Sequence, residues 1–330
     1  MKKIVIVAAD NAVASNITGV LDFFWFCNTF WHASNEDEVT DLFECKLVSP
    51  LGSAITTSLS IVIPAHSPDI IDSADALIIS SAHVHNQVGF KAYLEKMSPL
   101  FEQIKGFHEQ QKPIGAFCSG TFVLAATGLL DNKSATCAWW LTDLFKRSYP
   151  KVNLSLDSLV IEQDNLYTGG ATTAYLSLCL KLVEEMAGEY VANQMARIML
   201  VDPNRASQLP FMSLQQLSGH KDDRVNKIQQ WMQANLTESF SLDDLADRFA
   251  LSKRTLIRRF KKAVGDTPVN YLQRLRVEEA KRLLETTPAP LEDIVARVGY
   301  GDVSTFRKLF QQLTQLSPKA YRLRFNLAFA

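Results

Sequence analysis

The sequence predicts two domains of different class. The N-terminal one is α/β, a parallel-sheet, flavodoxin-like sandwich; the C-terminal one is all-α with two helix-turn-helix units. Three observations carry this. At 330 residues the chain is longer than one hydrophobic core usually supports. Up to about residue 200, short apolar runs alternate with helical stretches, the pattern of a parallel sheet covered on both faces. Beyond residue 222 the strand-like runs stop, and the same basic helical pattern occurs twice, offset by about fifty residues.

Taken in order, residues 2–9 form a continuous apolar run, as in a buried parallel strand. Residues 17–31 read as a helix, 44–48 as a strand, and 54–63 as one or two short strands. Residues 75–80 (DALIIS) are a third buried strand. Residues 89–111 are helical with a break at Pro99, 112–118 (KPIGAFC) are a strand, and 121–130 a helix. Residues 159–168 read as a hairpin, and 172–187 and 190–201 as helices. Weak periodicity with Pro, Ser and charge over 202–223 marks a domain boundary. The expected division is therefore 1–205, a linker at 206–222, and 223–330.

Hydrophobic residues make up 47% and charged residues 21% of the chain, which excludes a disordered tail protein, a collagen-like chain and a long coiled coil. Cys27, Cys45, Cys118, Cys137 and Cys179 are scattered and odd in number, so no disulfide framework is expected. No spacing suggests zinc, no metal or cofactor is expected, and a reducing cytoplasm is the expected compartment. The apolar run of MKKIVIVAAD breaks at Asp10, too early for a secretory signal. No stretch approaches the ~20 apolar residues of a membrane span, so no membrane partner is expected. The net charge of −1 conceals an asymmetry: residues 221–330 hold 20 basic and 13 acidic side chains, residues 1–220 hold 14 and 22. An acidic body with a basic tail is the footprint of a nucleic-acid binder, although two unrelated solvated surfaces give the same split.

In IGAFCSGTFVLAATGLL a buried strand ends at Cys118, a Ser-Gly turn follows and a helix begins at once. This is a nucleophile-elbow pattern. A helix N-terminus favours the thiolate, while a plain buried cysteine fits the same place. The runs FCSGTFVLAATGLLDNKSAT and TGGATTAYLSLCLKLVEEMAG resemble the class I glutamine amidotransferase-like (PfpI-type) fold, in the version found in GlxA-type transcription regulators. The resemblance covers roughly residues 1–200. It implies a histidine and a carboxylate beside the cysteine, and the sequence departs from both. Ser119 stands where protease-like members carry His. Ala138, in SATCAWW, stands in the register of a second His. The carboxylate register falls near Ser15 and Asn16, and Tyr175 stands where these regulators usually have Asp. His83 and His85 are the remaining candidates for a base, and such loop pairs are more often simply solvated.

Ligands of open parallel sheets sit beyond the carboxyl ends of the strands. That makes Asp10, Ser81 in the 80–85 loop, Cys118, Ser119, Ala138, Trp139 and Gly170 the candidate ligand-binding residues. Trp139 and Trp140 read either as an aromatic cage for a cationic metabolite or as core and interface aromatics.

In the C-terminal third, residues 224–235 form a helix with Val225, Ile228, Trp231 and Met232 on one face. In SLDDLADRFALSKRTLIRRFKKAVGDTP, Ser241 and Asp244 make a capping box, and Leu242, Leu245, Ala246 and Phe249 form an apolar face. Ser252 caps a second helix with Leu256 and Phe260 inward and Arg254, Arg258, Arg259, Lys261 and Lys262 outward. LEDIVARVGYGDVSTFRKLFQQL repeats this grammar: Ile294, Val295 and Val298 inward, a turn at 299–301, Asp302 as cap, Phe306 and Phe310 inward, and Ser304, Arg307 and Lys308 outward. A helix over 269–286 joins the two units. At about 27 Å it is long enough to hold two recognition helices near one DNA turn apart.

Residues 222–325 resemble the AraC/XylS family DNA-binding domain, in LADRFALSKRTLIRRFKKAVGDTPVNYLQRLRVEEAKRLLETT and IVARVGYGDVSTFRKLFQQLTQLSPKAYR. One departure is Leu316, where the second ending usually has Gly. The resemblance implies that Arg254, Ile257 and Arg258 from the first unit, and Ser304, Arg307 and Lys308 from the second, contact double-stranded promoter DNA. On a lone helix such a basic face is more often merely solvated; on two successive units it reads as DNA-binding. The expectation is a sequence-specific transcription regulator whose non-catalytic amidotransferase-like domain senses a small-molecule effector and forms a homodimer, with RNA polymerase as a possible further partner. The alternatives are an active thiol hydrolase or amidase fused to a DNA-binding domain, and a redox sensor at Cys118 with Cys137 as its partner thiol.

Overall fold

The computed structural model describes residues 1–35, 39–84, 86–202, 206–214, 220, 222–238 and 240–326. The chain divides into two compact units, 1–208 and 209–330. His85, most of 215–221 and the last four residues lie outside the described residues.

The apolar runs of the first unit become strands. In chain order it contains β1 (Lys2–Val7), α1 (Ala14–Ser34), β2 (Phe43–Val48), β3 (Ile55–Thr56), β4 (Val62–Ile63), β5 (Ala76–Ile79), α2 (Gln87–Met97), α3 (Phe101–Glu109), β6 (Ile114–Phe117), α4 (Gly120–Ala126), β7 (Ser134–Ala135), α5 (Thr142–Ser148), β8 (Asn153–Leu154), β9 (Val160–Gln163), β10 (Leu166–Gly169), α6 (Ala174–Ala187) and α7 (Glu189–Ile198). Six strands form one sheet in the order β2-β1-β5-β6-β10-β9. All pairs are parallel except β10 with β9, the hairpin at the edge. Ile4–Val7, β5 and β6 are wholly buried, as continuous apolar strands between two helical layers must be.

Register places the site. Val7 pairs with Val48 and Ile79, Ile79 with Ala116, and Phe117 with Gly169. The strands therefore end nearly level. Residues 8–10, 80–82, 118–120 and 170–172 follow them along one edge of the sheet.

Several boundaries differ from the sequence reading. The first helix is longer than 17–31, because Thr18 and Thr29 bond back to Ala14 and Trp25 and fit the helix interior. The helix expected to reach residue 130 stops at Ala126, where the Thr127 hydroxyl turns onto the Leu124 carbonyl. Pro99 does break the next long stretch, into α2, a 3-10 turn over Ser98–Leu100, and α3. Short β7, α5 and β8 carry too little periodicity to be read in advance. In the expected linker, Ala206–Gln208 belong to the first unit, and Leu209–Phe211 make a 3-10 turn of the second.

The second unit is helical: α8 (Asp223–Ala234), α9 (Leu242–Arg248), α10 (Lys253–Val264), α11 (Pro268–Thr286), α12 (Leu291–Arg297), α13 (Val303–Thr314) and α14 (Pro318–Phe325). It has two cores. Val225, Ile228, Met232, Leu245, Ala246, Leu256 and Phe260 meet Tyr271 and Leu275 in one. Ile294, Val295, Val298, Phe306, Phe310 and Tyr321 meet Val277, Ala280, Leu283 and Leu284 in the other. Helix α11 thus gives its first half to one core and its second half to the next. The repeat extends to detail: Phe260 meets Tyr271, and Phe310 meets Tyr321, edge-to-face at 5.4 Å in both. The caps repeat as well. Thr267 before Pro268 and Ser317 before Pro318 each accept an amide of the first turn. Both recognition helices end in a left-handed residue, Gly265 and Gln315. The position favouring glycine in the second ending is therefore Gln315, not Leu316 as the resemblance suggested.

Candidate ligand site and nucleic-acid interface

The elbow at Cys118 is strained and tightly tied. Cys118 sits at φ +55°, the left-handed region that side chains avoid. Its amide donates to the carbonyls of Gly169 (3.0 Å) and Gly170 (2.8 Å), which fixes the elbow to the end of β10. Ser119 donates its hydroxyl to the Ala82 carbonyl and accepts the Ala82 amide, both at 2.8 Å, so its bonding capacity is spent inside the fold. Asn16 bridges the loops: its Nδ2 donates to the Thr172 carbonyl (3.1 Å), and its Oδ1 accepts the Ser81 hydroxyl (2.5 Å).

Burial governs the thiol. Cys118 is 7% exposed, and its pKa is pushed up to about 11 by desolvation. Hydrogen bonds from the Ser119 amide and the Thr172 hydroxyl pull the other way and lose. A helix N-terminus favours the thiolate, but burial is the larger effect and favours the protonated thiol at neutral pH. Cys137 is also raised, chiefly by burial, and all five cysteines are free thiols.

The other expected ligand residues scatter in role. Asp10 is exposed; it accepts the Thr56 amide at 2.9 Å and lies 3.7 Å from the Lys96 ammonium. Ser81, Ala138 and Trp139 are buried, and Trp139 meets the exposed Trp140 edge-to-face at 5.3 Å. Gly170 is buried under a residue the sequence reading did not single out, Gln208. The Gln208 Nε2 donates to Thr136 Oγ1 and to the Cys137 carbonyl, both at 2.9 Å. A groove of about 840 Å³ lies elsewhere, lined by Phe90, Leu94, Phe101, Phe122, Leu144 and Tyr149 among others. His83 is exposed, and its backbone pairs with Asn11.

On α10, Arg254 and Arg258 are exposed one turn apart, Ile257 is half-buried between them, and Leu256 and Phe260 are buried. On α13, Ser304, Arg307 and Lys308 are exposed, opposite buried Phe306 and Phe310. Both helices start from a side-chain cap, Ser252 accepting the Thr255 amide and Asp302 the amide of Thr305. The expected basic face is not uniform. Arg259 turns to Asp222 at 2.6 Å, whose carboxyl it helps hold below the usual range, and Lys253 turns to Asp243 at 2.9 Å. Arg307 lies 4.0 Å from Glu292.

Arg276 was missed by the sequence reading. From α11 it donates to the carbonyls of Leu236 (2.8 Å) and Glu238 (2.9 Å), and its guanidinium lies 5.3 Å from the Tyr300 ring centroid. One side chain thus ties the loop between α8 and α9 to the turn between α12 and α13.

A helix-turn-helix domain model matches residues 245–324, and a DJ-1/PfpI family model matches residues 89–185. The chain joins a DJ-1/PfpI domain to an AraC-type helix-turn-helix domain. The HTH-type transcriptional regulator GbdR of Pseudomonas aeruginosa is 24% identical over 262 residues, 79% of this chain and 69% of that protein. The HTH-type transcriptional activator RhaS of Citrobacter koseri is 36% identical over 110 residues, 33% of this chain and 40% of that protein. An AraC family transcriptional regulator from Pseudomonas putida has the same fold over 60% of this chain and 100% of that chain, with TM-score 0.50 and 13% identity.

Within the DJ-1/PfpI domain Cys118 keeps the left-handed backbone of an elbow between β6 and α4. Ser15 and Asn16 stand where the resemblance puts the carboxylate, and neither side chain is an acid. Ser119 and Ala138 occupy the histidine registers, one bonded to Ala82 and one apolar. Among the described residues no group of three or more His, Cys, Asp or Glu could hold a metal ion. No described helix is long and apolar enough to cross a membrane.

Proposed function

We propose that this protein is a sequence-specific DNA-binding transcription regulator whose DJ-1/PfpI domain serves as a non-catalytic sensor. The observation that carries the reading is the repeated unit. Two helix-turn-helix pairs, each with its own core and an exposed basic second helix, share one connecting helix. Arg254, Ile257 and Arg258 on α10, and Ser304, Arg307 and Lys308 on α13, are assigned to successive major grooves, where arginine pairs best with guanine. Arg259 is assigned a structural role because Asp222 holds it.

The sensor assignment rests on the loops gathered at the carboxyl edge of the sheet. The non-catalytic assignment rests on the protonated thiol of Cys118 and on the neutral residues in the acid and base registers. A cysteine nucleophile needs a base or a lowered pKa. The same protonated, buried thiol weighs against the redox-sensor alternative, which needs an accessible thiolate. A homodimer is supported by α1, where Trp25 is 61% exposed and packs edge-to-face on Phe26. Work in the cytoplasm, with RNA polymerase as a further partner, completes the proposal.

The test is selection of binding sites from a random duplex pool by the full-length protein, followed by the same selection with Arg254→Ala/Arg258→Ala and with Arg307→Ala/Lys308→Ala. The expected wild-type consensus has two half-sites, each variant losing information in a different one. Loss in neither half-site would overturn the assignment of the recognition helices.

A further inference from the structure

At the carboxyl edge of the sheet, the chain plugs a polar niche with one of its own side chains. Gln208 is 2% exposed, the last residue of the first unit. Its carboxamide reaches the Thr136 hydroxyl and the Cys137 carbonyl. A carbonyl only accepts, so the nitrogen must face it. The other half of the carboxamide fits poorly: Gln208 Oε1 is buried and has no hydrogen-bond partner among the described residues. A buried acceptor left unmade is costly, so the occupant is held by its N–H bonds alone. Gly170 forms the wall. A Cβ there would lie 2.7 Å from Cδ, Nε2 and Oε1 of Gln208, so only glycine leaves the niche open. The niche adjoins the elbow, since the Cys118 amide donates to the Gly170 carbonyl. Ala206 accepts the Leu159 amide and holds the plugging segment along the edge strand.

We propose that this niche is the head-group subsite of the effector, that it takes a nitrogen bearing two or more N–H bonds, as in a primary amide or primary ammonium, and that Gln208 is its built-in competitor. The proposal rests on the sensor reading and gives it a ligand class and a moving part. The acceptors Thr136 Oγ1 and Cys137 O select for N–H donors. The lost partner of Oε1 makes Gln208 a weak occupant. Its place in the chain, directly before Leu209, means that expelling it changes the segment entering the DNA-binding unit.

The experiment uses the full-length protein and three small probes: propionamide, propylammonium and tetramethylammonium, which has no N–H. Ligand-observed NMR at millimolar concentration reads their affinities for wild type and for Gln208→Ala. The expected result is at least tenfold tighter binding of propionamide or propylammonium to Gln208→Ala, reversed by adding Thr136→Val. Which of the two gains more tells amide from ammonium. Tetramethylammonium should bind neither protein. Equal affinity of the N–H probes for both proteins, or equally tight binding of tetramethylammonium to the variant, overturns the proposal. Gln208→Ser makes the same comparison if the alanine variant is unstable. The affinity of Gln208→Ala for DNA, measured in parallel, separates the two layers. Probe binding gained with DNA affinity unchanged leaves the subsite standing and overturns the sensor reading. A shift in DNA affinity without probe binding overturns the subsite and leaves the sensor reading standing.

Discussion

Arg254 and Arg258 stand one turn apart on α10, and Arg307 and Lys308 stand side by side on α13, exposed opposite buried Leu256 and Phe260 on the first and Phe306 and Phe310 on the second. If an arginine reads a base, truncating it should cost about 1–3 kcal/mol on the specific site and relax preference at one position. Arg258→Ala and Arg307→Ala are the variants to measure, by anisotropy against the selected duplex. Unchanged affinity and preference in both would refute the contacts. Cys118 yields a prediction in pH. Its folded pKa is about 11 against an ordinary 9.0. Above pH 9 the unfolded chain loses this proton while the folded chain keeps it, so stability falls as pH rises from 9 to 11. Alkylation of Cys118 by iodoacetamide should stay slow at pH 8 and rise with a midpoint near 11; a midpoint below 9 would contradict the burial argument. The elbow was legible in the sequence because a strand, a tight turn and a helix start are local features. Asn16 with Ser81 and Thr172, and Gln208 with Thr136 and Cys137, were not. They join residues 65 to 156 positions apart, and no local periodicity encodes such a bond.

Helix α11 is the element on which the DNA-binding unit depends. Tyr271 and Leu275 serve one core, and Val277, Ala280, Leu283 and Leu284 the other. Arg276, between them, bonds to the carbonyls of Leu236 and Glu238 and lies by Tyr300. Hydrogen bonds from a charged donor are worth about 1.5–3 kcal/mol, so Arg276→Ala should lower unfolding stability by about that much. It should also weaken binding to a two-half-site duplex more than to a single half-site, which a loss of stability alone would not do. Equal weakening on both duplexes would show that Arg276 only stabilises. The helices over 253–264 and 268–286 were legible almost to the residue, and side-chain caps at Ser241, Ser252 and Asp302 mark three of the starts; the last helix, over Pro318–Phe325, was not singled out. The end at Gln315 was not, because a left-handed C-cap without glycine carries no compositional signal. In the first unit, fully buried strands were legible as unbroken apolar runs, whereas β7, α5 and β8 are too short for periodicity to emerge.

At the scale of the molecule, charge and fold agree. The excess of acid lies in residues 1–220 and the excess of base in 221–330, the part that carries the helix-turn-helix pairs. A basic domain that neutralises phosphates must lose affinity steeply as salt rises, while an acidic partner domain limits non-specific binding. The two-domain division and the class of each domain could be read from the sequence, since the change from alternating strands and helices to helices alone is a long-range pattern. The place where one unit ends could not, because Gln208 is buried by tertiary contacts within a segment that otherwise reads as linker. Sequence-specific DNA binding is tested most directly by titrating the full-length protein, in salt and with non-specific duplex present, against the DNA upstream of its own gene. The predicted result is competitor-resistant binding whose affinity falls linearly on a log–log salt plot, with a specific-over-nonspecific ratio of about 10³ or more. Weak binding that the competitor removes, on this DNA and on duplexes selected from a random pool alike, would contradict the central claim.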